Sequence, residues 1–177
     1  GEFQINNAVI AIKILQILNN NNKVGINNKN IIDGLKKAEW PGRFQFIGKN
    51  ILVDSAHNPD GFKALFNELK NLDYDRLVLV VGFSRDKDAK TISKIINSNA
   101  WKSKISGTNS VGKTIKKIIL TQSNNERAMP IEEAKQYFKN PTIIKNSKKA
   151  LEYAKKSADK KDLILACGSI YLVGELI

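Results

Sequence analysis

Two stretches, Leu77-Val78-Leu79-Val80-Val81 and Leu163-Ile164-Leu165-Ala166-Cys167, constrain this 177-residue chain more than any others. Each is an unbroken apolar run of strand length, followed at once by glycine (Gly82 and Gly168). A run with no polar position has no side for water, so both read as strands covered on two faces, the habit of parallel sheets. The segments around them alternate in the same sense. Phe44 to Ile47 and Ile51 to Val53 form a hairpin pattern around Gly48-Lys49-Asn50, and shorter strands are expected at Lys117 to Leu120 and Thr142 to Ile144. Pro59 opens a helix whose inner face is Phe62, Leu65, Phe66 and Leu69. Further helices are expected around Ile92, Ile95 and Ile96, from Ile131 to Phe138, and from Lys148 to Ser157. The expected fold is α/β, a Rossmann-like, mostly parallel sheet with helices on both faces, over residues 40–177.

Residues 1–39 follow another rule. Ile5, Ala8, Val9, Ile12, Leu15 and Leu18 recur at helical spacing until the polar stretch Asn19 to Lys23. Asn28 is the expected cap of a second helix carrying Ile31, Ile32 and Leu35. Trp40-Pro41-Gly42 interrupts the pattern and marks the domain boundary.

Composition narrows the function classes. The chain is 42% hydrophobic and 26% charged, with no apolar run near the ~20 residues of a membrane span. Its start lacks the basic and small-residue pattern of a signal peptide, and the single Cys167 offers no internal disulfide, so a cytoplasmic protein is expected. The net charge of +12 raises the question of nucleic acid. Lysine is scattered, however, arginine occurs only at 43, 76, 85 and 127, and no arginine–aromatic cluster is visible. A basic nucleic-acid-binding module remains the competing reading from another class.

Ligands of open α/β sheets gather at the carboxyl ends of the strands. Three polar clusters fall there: Asp54-Ser55-Ala56-His57-Asn58-Pro59, Gly82-Phe83-Ser84-Arg85-Asp86-Lys87-Asp88, and Gly168-Ser169. With Trp40-Pro41-Gly42-Arg43-Phe44 upstream and Gly168-Ser169-Ile170-Tyr171-Leu172-Val173-Gly174-Glu175 at the end, these motifs occur in the order found in folylpolyglutamate/dihydrofolate synthases. The chain resembles the C-terminal domain of that family, which lies within the Mur ligase superfamily. Gly1, Gln4, Asn6 or Asn7, Ala8 and Ala11 resemble the closing helix of its central ATP-binding domain, so 1–39 is expected to be a helical remnant of that domain.

The resemblance implies an ATP- and magnesium-dependent ligase that joins glutamate to dihydropteroate or to a folate through an acyl phosphate. It further implies that a chain of this length is only part of the enzyme, inactive alone, and a monomer. The phosphate loop and the magnesium ligands belong to the family's central domain, and no metal ligand is assigned here. Carried over by motif, Arg43 reaches the ATP phosphates, Asp54 lies near the ribose or phosphate end, and His57 lines the nucleotide or glutamate site. Arg43 and His57 are the candidate catalytic residues, and Ser169 approaches the glutamate. Asp54 can also serve as a helix-entry cap, Asn58 orders the turn, and Asp86 and Asp88 are either rim ligands or part of a solvated acidic loop or helix cap. Ser55 stands where the family has Gly, and Cys167 where it has Thr. A peptidoglycan-type Mur ligase domain is the enzymatic alternative.

Gly107-Thr108-Asn109-Ser110-Val111-Gly112-Lys113-Thr114 also fits the phosphate-loop pattern of Gly, four residues, Gly, Lys, Thr. Such a loop needs a buried strand before it and a helix after it. Trp101 to Ser106 is a poor strand and Ile115 to Gln122 reads as one, so a surface loop within an insertion spanning Ala100 to Thr114 is expected.

Overall fold

The two apolar runs lie side by side at the centre of a six-stranded sheet. The computed structural model describes residues 2–21, 23–98 and 113–177. It divides into two compact units, residues 1–40 and 41–177.

In the larger unit the strands are β1 (Gln45–Gly48), β2 (Ile51–Asp54), β3 (Arg76–Val81), β4 (Thr114–Gln122), β5 (Thr142–Asn146) and β6 (Leu163–Cys167). Their order across the sheet is β1-β2-β6-β3-β4-β5. The edge strand β1 runs antiparallel to β2, and the other pairings are parallel.

Alternation along each central strand divides the core into two layers, because successive side chains leave opposite faces. Leu52, Leu77, Leu79, Leu163 and Leu165 meet helices α3 (Pro59–Leu69), α4 (Ala89–Asn97) and α5 (Ile131–Lys135). Val53, Val78, Val80, Ile164 and Ala166 meet α6 (Ser147–Ser157) and α7 (Ile170–Leu176). The predicted inner face of α3 is buried as expected, with Phe62 and Phe66 at a centroid distance of 6.1 Å. Helices α3 to α5 thus cover one face as the chain steps outward from β2 to β5. Helix α6 then returns over the other face and delivers β6 between β2 and β3.

Some elements depart from expectation for local reasons. Strand β4 begins earlier, at Thr114, because its lysines are provided for: Lys116 pairs with Asp159 and Asp162, and Lys117 donates to the Tyr153 hydroxyl. Helix α5 ends at Lys135, after which Phe138 turns in to stack on Phe83. Helix α7 is not anticipated from the sequence at all.

The smaller unit holds two helices, α1′ (Glu2–Asn20) and α2′ (Asn28–Lys37). The cap of α2′ is Asn27 rather than Asn28: its side chain accepts from the Asn30 amide, and the Asn30 side chain accepts from the Asn27 amide in return. Along α1′, Ala8, Ile12 and Leu15 are partly covered, while Ile5, Val9, Ile10, Ile14 and Ile17 are each more than half exposed.

At the amino edge of the sheet Asp162 binds three elements together. Its carboxylate accepts from Arg76 Nε at 3.0 Å, Lys116 Nζ at 2.9 Å and the Asp159 amide at 2.9 Å. Burial pushes its pKa up, but the Asp159 amide and the Lys116 and Arg76 cations outweigh this and hold it below the ordinary aspartate value. A depressed folded pKa gives stability that is complete above the unfolded value and is lost as pH falls through the folded one. Asp162→Asn is therefore expected to cost about 1–3 kcal/mol at neutral pH. Urea unfolding across a pH series should show that deficit shrinking once the solution is more acid than the ordinary aspartate range.

Candidate functional site at the carboxyl rim

Insertion of β6 brings the three polar clusters together at the carboxyl ends of β2, β6 and β3. The strand ends are drawn close enough to require glycine. A Cβ on Gly168, whose φ is +103°, would lie 2.5 Å from the Gly82 carbonyl oxygen, and one on Gly82 would lie 2.7 Å from that of Thr121. Hydrogen bonds span the same rim: the Gly168 amide donates to Ala56 at 2.9 Å and the Gly82 amide to Cys167 at 3.3 Å.

Arg43 stands on this rim with its backbone held on both sides. The carbonyl of Gly42 accepts from the Ser55 amide at 2.8 Å and from its hydroxyl at 2.9 Å. The amide of Phe44 donates to Asp54 Oδ2 at 2.8 Å, and the Gly42 amide donates to Gln45 Oε1 at 2.7 Å. Phe44 has a φ of 46°, a left-handed conformation that costs a non-glycine residue about 1–2 kcal/mol. The bond to Asp54 offsets that cost. Arg43 itself is exposed. Ser55 has no positive φ, so serine fits where the family pattern has glycine, and its hydroxyl adds a tie to the arginine turn.

Asp54 is 3% exposed. Its second oxygen accepts from the Ala56 amide at 2.7 Å, so the carboxylate links the arginine turn to the chain leaving β2. Burial raises its pKa, and the Phe44 and Ala56 amides with the Arg43 and His57 charges draw it back only part of the way. Asp54 does not cap the following helix. Asn58 does, accepting from the Gly61 amide at 2.7 Å, with Pro59 in the first turn.

His57 is half-buried, with Nδ1 2.9 Å from the Ser55 carbonyl oxygen. A carbonyl can only accept, so Nδ1 donates in this bond and Nε2 is the ring nitrogen left to meet a ligand. Ser169 is 1% exposed and caps α7, accepting from the Tyr171 amide at 3.2 Å. Its hydroxyl lies 3.3 Å from that of Ser84, a neighbour the sequence reading does not single out. The only sequence signal for Ser84 is its place two residues after Gly82. Cys167 is wholly buried in the core, and burial with the nearby Asp54 charge pushes its thiol pKa well up.

The acidic loop is engaged elsewhere. Asp88 caps α4 through the Thr91 amide at 2.9 Å, and Asp86 pairs with Lys87 at 2.7 Å. Among the described residues no three His, Cys, Asp or Glu side chains converge as a metal site.

The phosphate-loop match lies outside the described residues except for its last two positions. Thr114 opens β4, where a phosphate loop would open a helix. The Lys113 ammonium is buried beneath the end of α3, donating to Leu69 at 3.0 Å, Lys70 at 2.8 Å and also Leu72, with the Tyr74 ring 4.5 Å away. It closes carbonyls that a helix end leaves open, at the sheet edge opposite Arg43.

Residues 42–170 match the family described as Mur ligase, glutamate ligase domain. A probable bifunctional folylpolyglutamate synthase/dihydropteroate synthase of Haloferax volcanii is 28% identical, covering 99% of this chain and 19% of that protein. A UDP-N-acetylmuramoyl-L-alanyl-D-glutamate--2,6-diaminopimelate ligase of Caldanaerobacter subterraneus is 29% identical, covering 95% of this chain and 33% of its own length. Among solved structures, E. coli FolC in complex with ADP, without folate substrate, superposes with a TM-score of 0.76 at 24% identity, over 96% of this chain and 38% of that one. The likeness bears out the expected mostly parallel α/β fold. The chain spans less than half the length of each of these relatives.

Two substitutions separate rim from edge. Gly168→Ala should destabilise the fold by at least about 2 kcal/mol, since strained φ and backbone overlap act together. Lys113→Met should also lower the melting temperature, by removing an ammonium from helix-end carbonyls, yet leave any ATP affinity of the chain unchanged. Thermal unfolding with calorimetric ATP titration checks both.

Proposed function

This chain belongs to the Mur ligase family through its glutamate ligase domain, and on that premise we propose that it serves an ATP-dependent ligase joining glutamate to dihydropteroate or to folates. The observation that carries the reading is the clamp on Arg43. An exposed arginine whose flanking peptides are held by hydrogen bonds, at the carboxyl ends of parallel strands, suits the phosphates of a nucleotide. The ordered motifs at Trp40 to Phe44, Asp54 to Pro59 and Gly168 to Glu175 favour the folate branch.

In this reaction ATP phosphorylates the carboxylate of the acceptor. The amine of glutamate then attacks the acyl phosphate, releasing phosphate and forming the amide. The protein's share is positioning and neutralisation of charge. Arg43 stabilises charge on the transferring phosphoryl group, and its planar fork suits that task better than an ammonium would. Asp54 belongs to the nucleotide site and acts on it by holding the turn that presents Arg43. His57 offers Nε2 for a hydrogen bond and its ring as a surface for nucleotide or glutamate. Ser169, with Ser84 beside it, fixes the start of α7 where glutamate would approach. Magnesium would accompany ATP, but the described residues do not form a set of ligands for it. Those ligands are assigned to an ATP-binding domain, of which residues 1–39 form the last helices. The ligase is further proposed to be cytoplasmic and monomeric; no described helix is long and apolar enough to cross a membrane.

A second reading, ligation in peptidoglycan precursor synthesis, is favoured by the likeness to the diaminopimelate ligase. Dihydropteroate, tetrahydrofolate and a muramoyl peptide, offered separately to the enzyme that carries this domain, distinguish the two by which one is extended.

Steady-state kinetics of that enzyme test the site. Arg43→Ala should lower kcat about a hundred- to a thousandfold with little change in folate binding, and Arg43→Lys should restore only part of it. His57→Ala should act mainly on KM for ATP or glutamate. Turnover of Arg43→Ala within threefold of wild type would leave the arginine turn a purely structural element. The 177-residue chain alone should bind ATP weakly and catalyse no ligation, and tight magnesium-dependent binding in calorimetry would overturn that division of labour.

A further inference from the structure

Ser84 carries a hydroxyl that its place in the fold does not require. It follows the end of β3, between Phe83, which packs in the core, and Arg85, which is exposed. Backbone bonds hold it from both sides. The Met129 amide donates to the Phe83 carbonyl at 2.8 Å, the Arg85 amide donates to the Arg127 carbonyl at 2.9 Å, and Ser84 faces Ala128 across the bridge between them. The Lys87 amide donates to the Ser84 carbonyl at 3.1 Å. None of these bonds uses the side chain. Ser84 is 5% exposed, and alanine would fill the same place with no polar group to satisfy.

The hydroxyl has one hydrogen-bond partner among the described residues, the Ser169 hydroxyl 3.3 Å away. Ser169 is buried as deeply, and its oxygen also accepts from the Tyr171 amide at 3.2 Å. The pair therefore owns two hydroxyl protons and makes one bond between them, so one proton has no acceptor whichever way that bond runs. The separation is longer than the ~2.7–2.8 Å usual for two hydroxyls, which leaves room for the pair to close. Both serines stand just past the glycines, Gly82 and Gly168, whose backbones meet at the carboxyl rim.

We propose that Ser84 is a positioning residue for the amino-acid substrate: it donates its proton to Ser169 Oγ and thereby reserves the Ser169 proton for a carboxylate of the incoming glutamate. The inference rests on the ligase reading and on the place given there to Ser169. Its direction follows from the count of donors and acceptors. With bonds from the Tyr171 amide and from Ser84, Ser169 Oγ has both acceptor positions filled, and its own O–H is polarised toward an anion. The reverse direction would turn the Ser169 proton back toward Ser84 and leave a carboxylate facing an oxygen with no proton to offer. Ser84 touches no substrate itself and acts through Ser169.

Steady-state kinetics of the enzyme that carries this domain test the relay, with KM for glutamate, KM for ATP, kcat and melting temperature measured for Ser84→Ala, Ser169→Ala and the double variant. Ser84→Ala should raise KM for glutamate about three- to tenfold, with kcat and KM for ATP within twofold of wild type. In the Ser169→Ala background the same change should add nothing, because the group through which Ser84 acts is already gone. The proposal is overturned if Ser84→Ala leaves KM for glutamate unchanged, or if it raises KM for ATP equally. It is also overturned if the two single effects add in full, or if Ser84→Ala lowers only the melting temperature. If Ser169→Ala itself leaves KM for glutamate unchanged, the place given to Ser169 is wrong and the relay falls with it. An enzyme that joins glutamate to no acceptor would overturn the ligase reading and the relay together.

Discussion

Where β6 leaves the sheet, the backbone at Gly168 comes so close to Gly82 that no side chain fits between them, and the geometry of the carboxyl rim depends on that approach. It lets the chain pass from β6 into α7 directly beside the ends of β2 and β3. Ser169 thereby meets Ser84, and the Gly168 amide reaches Ala56. A Cβ at Gly42 would lie 2.7 Å from Val173 of α7, so the arginine turn also rests on the element that this passage creates. The clamp on Arg43, the cap at Ser169 and the position of His57 are downstream of a contact made by backbone alone.

Two buried aspartates at opposite ends of the sheet show how partners set the outcome of burial. Asp162 meets two cations and an amide, and its pKa falls; Asp54 meets two amides with the cations farther off, and its pKa rises. The first arrangement fastens β3, β4 and β6 at the amino edge. The second organises a turn that carries an exposed arginine on the rim. One residue type thus serves cohesion at one edge and presentation at the other.

Much of the rim was legible in the chain. Strand ends can be located from apolar runs, and polar residues placed directly after them must gather at one edge if the strands are parallel. Arg43, Asp54, His57 and Ser169 follow from that logic together with the ordered motifs. Ser84 does not, because a lone serine after a glycine carries no signal until its partner is known. Helix α7 is obscured because the motif ending in Glu175 reads as a ligand signature before it reads as a helix. Lys113 misleads for the opposite reason: its local pattern suggests a phosphate loop, while its ammonium is spent on the end of α3.

By itself the sequence determined the class of fold, its layering and the chemical character of the strand ends, since periodicity and apolar continuity are local properties written residue by residue. Only the tertiary structure decided that β6 enters between β2 and β3, and hence which polar clusters become neighbours. Strand order is set by competition among alternative pairings of similarly apolar strands. That competition is resolved by which backbones can approach closely and which faces the helices cover, and both are properties of the whole domain.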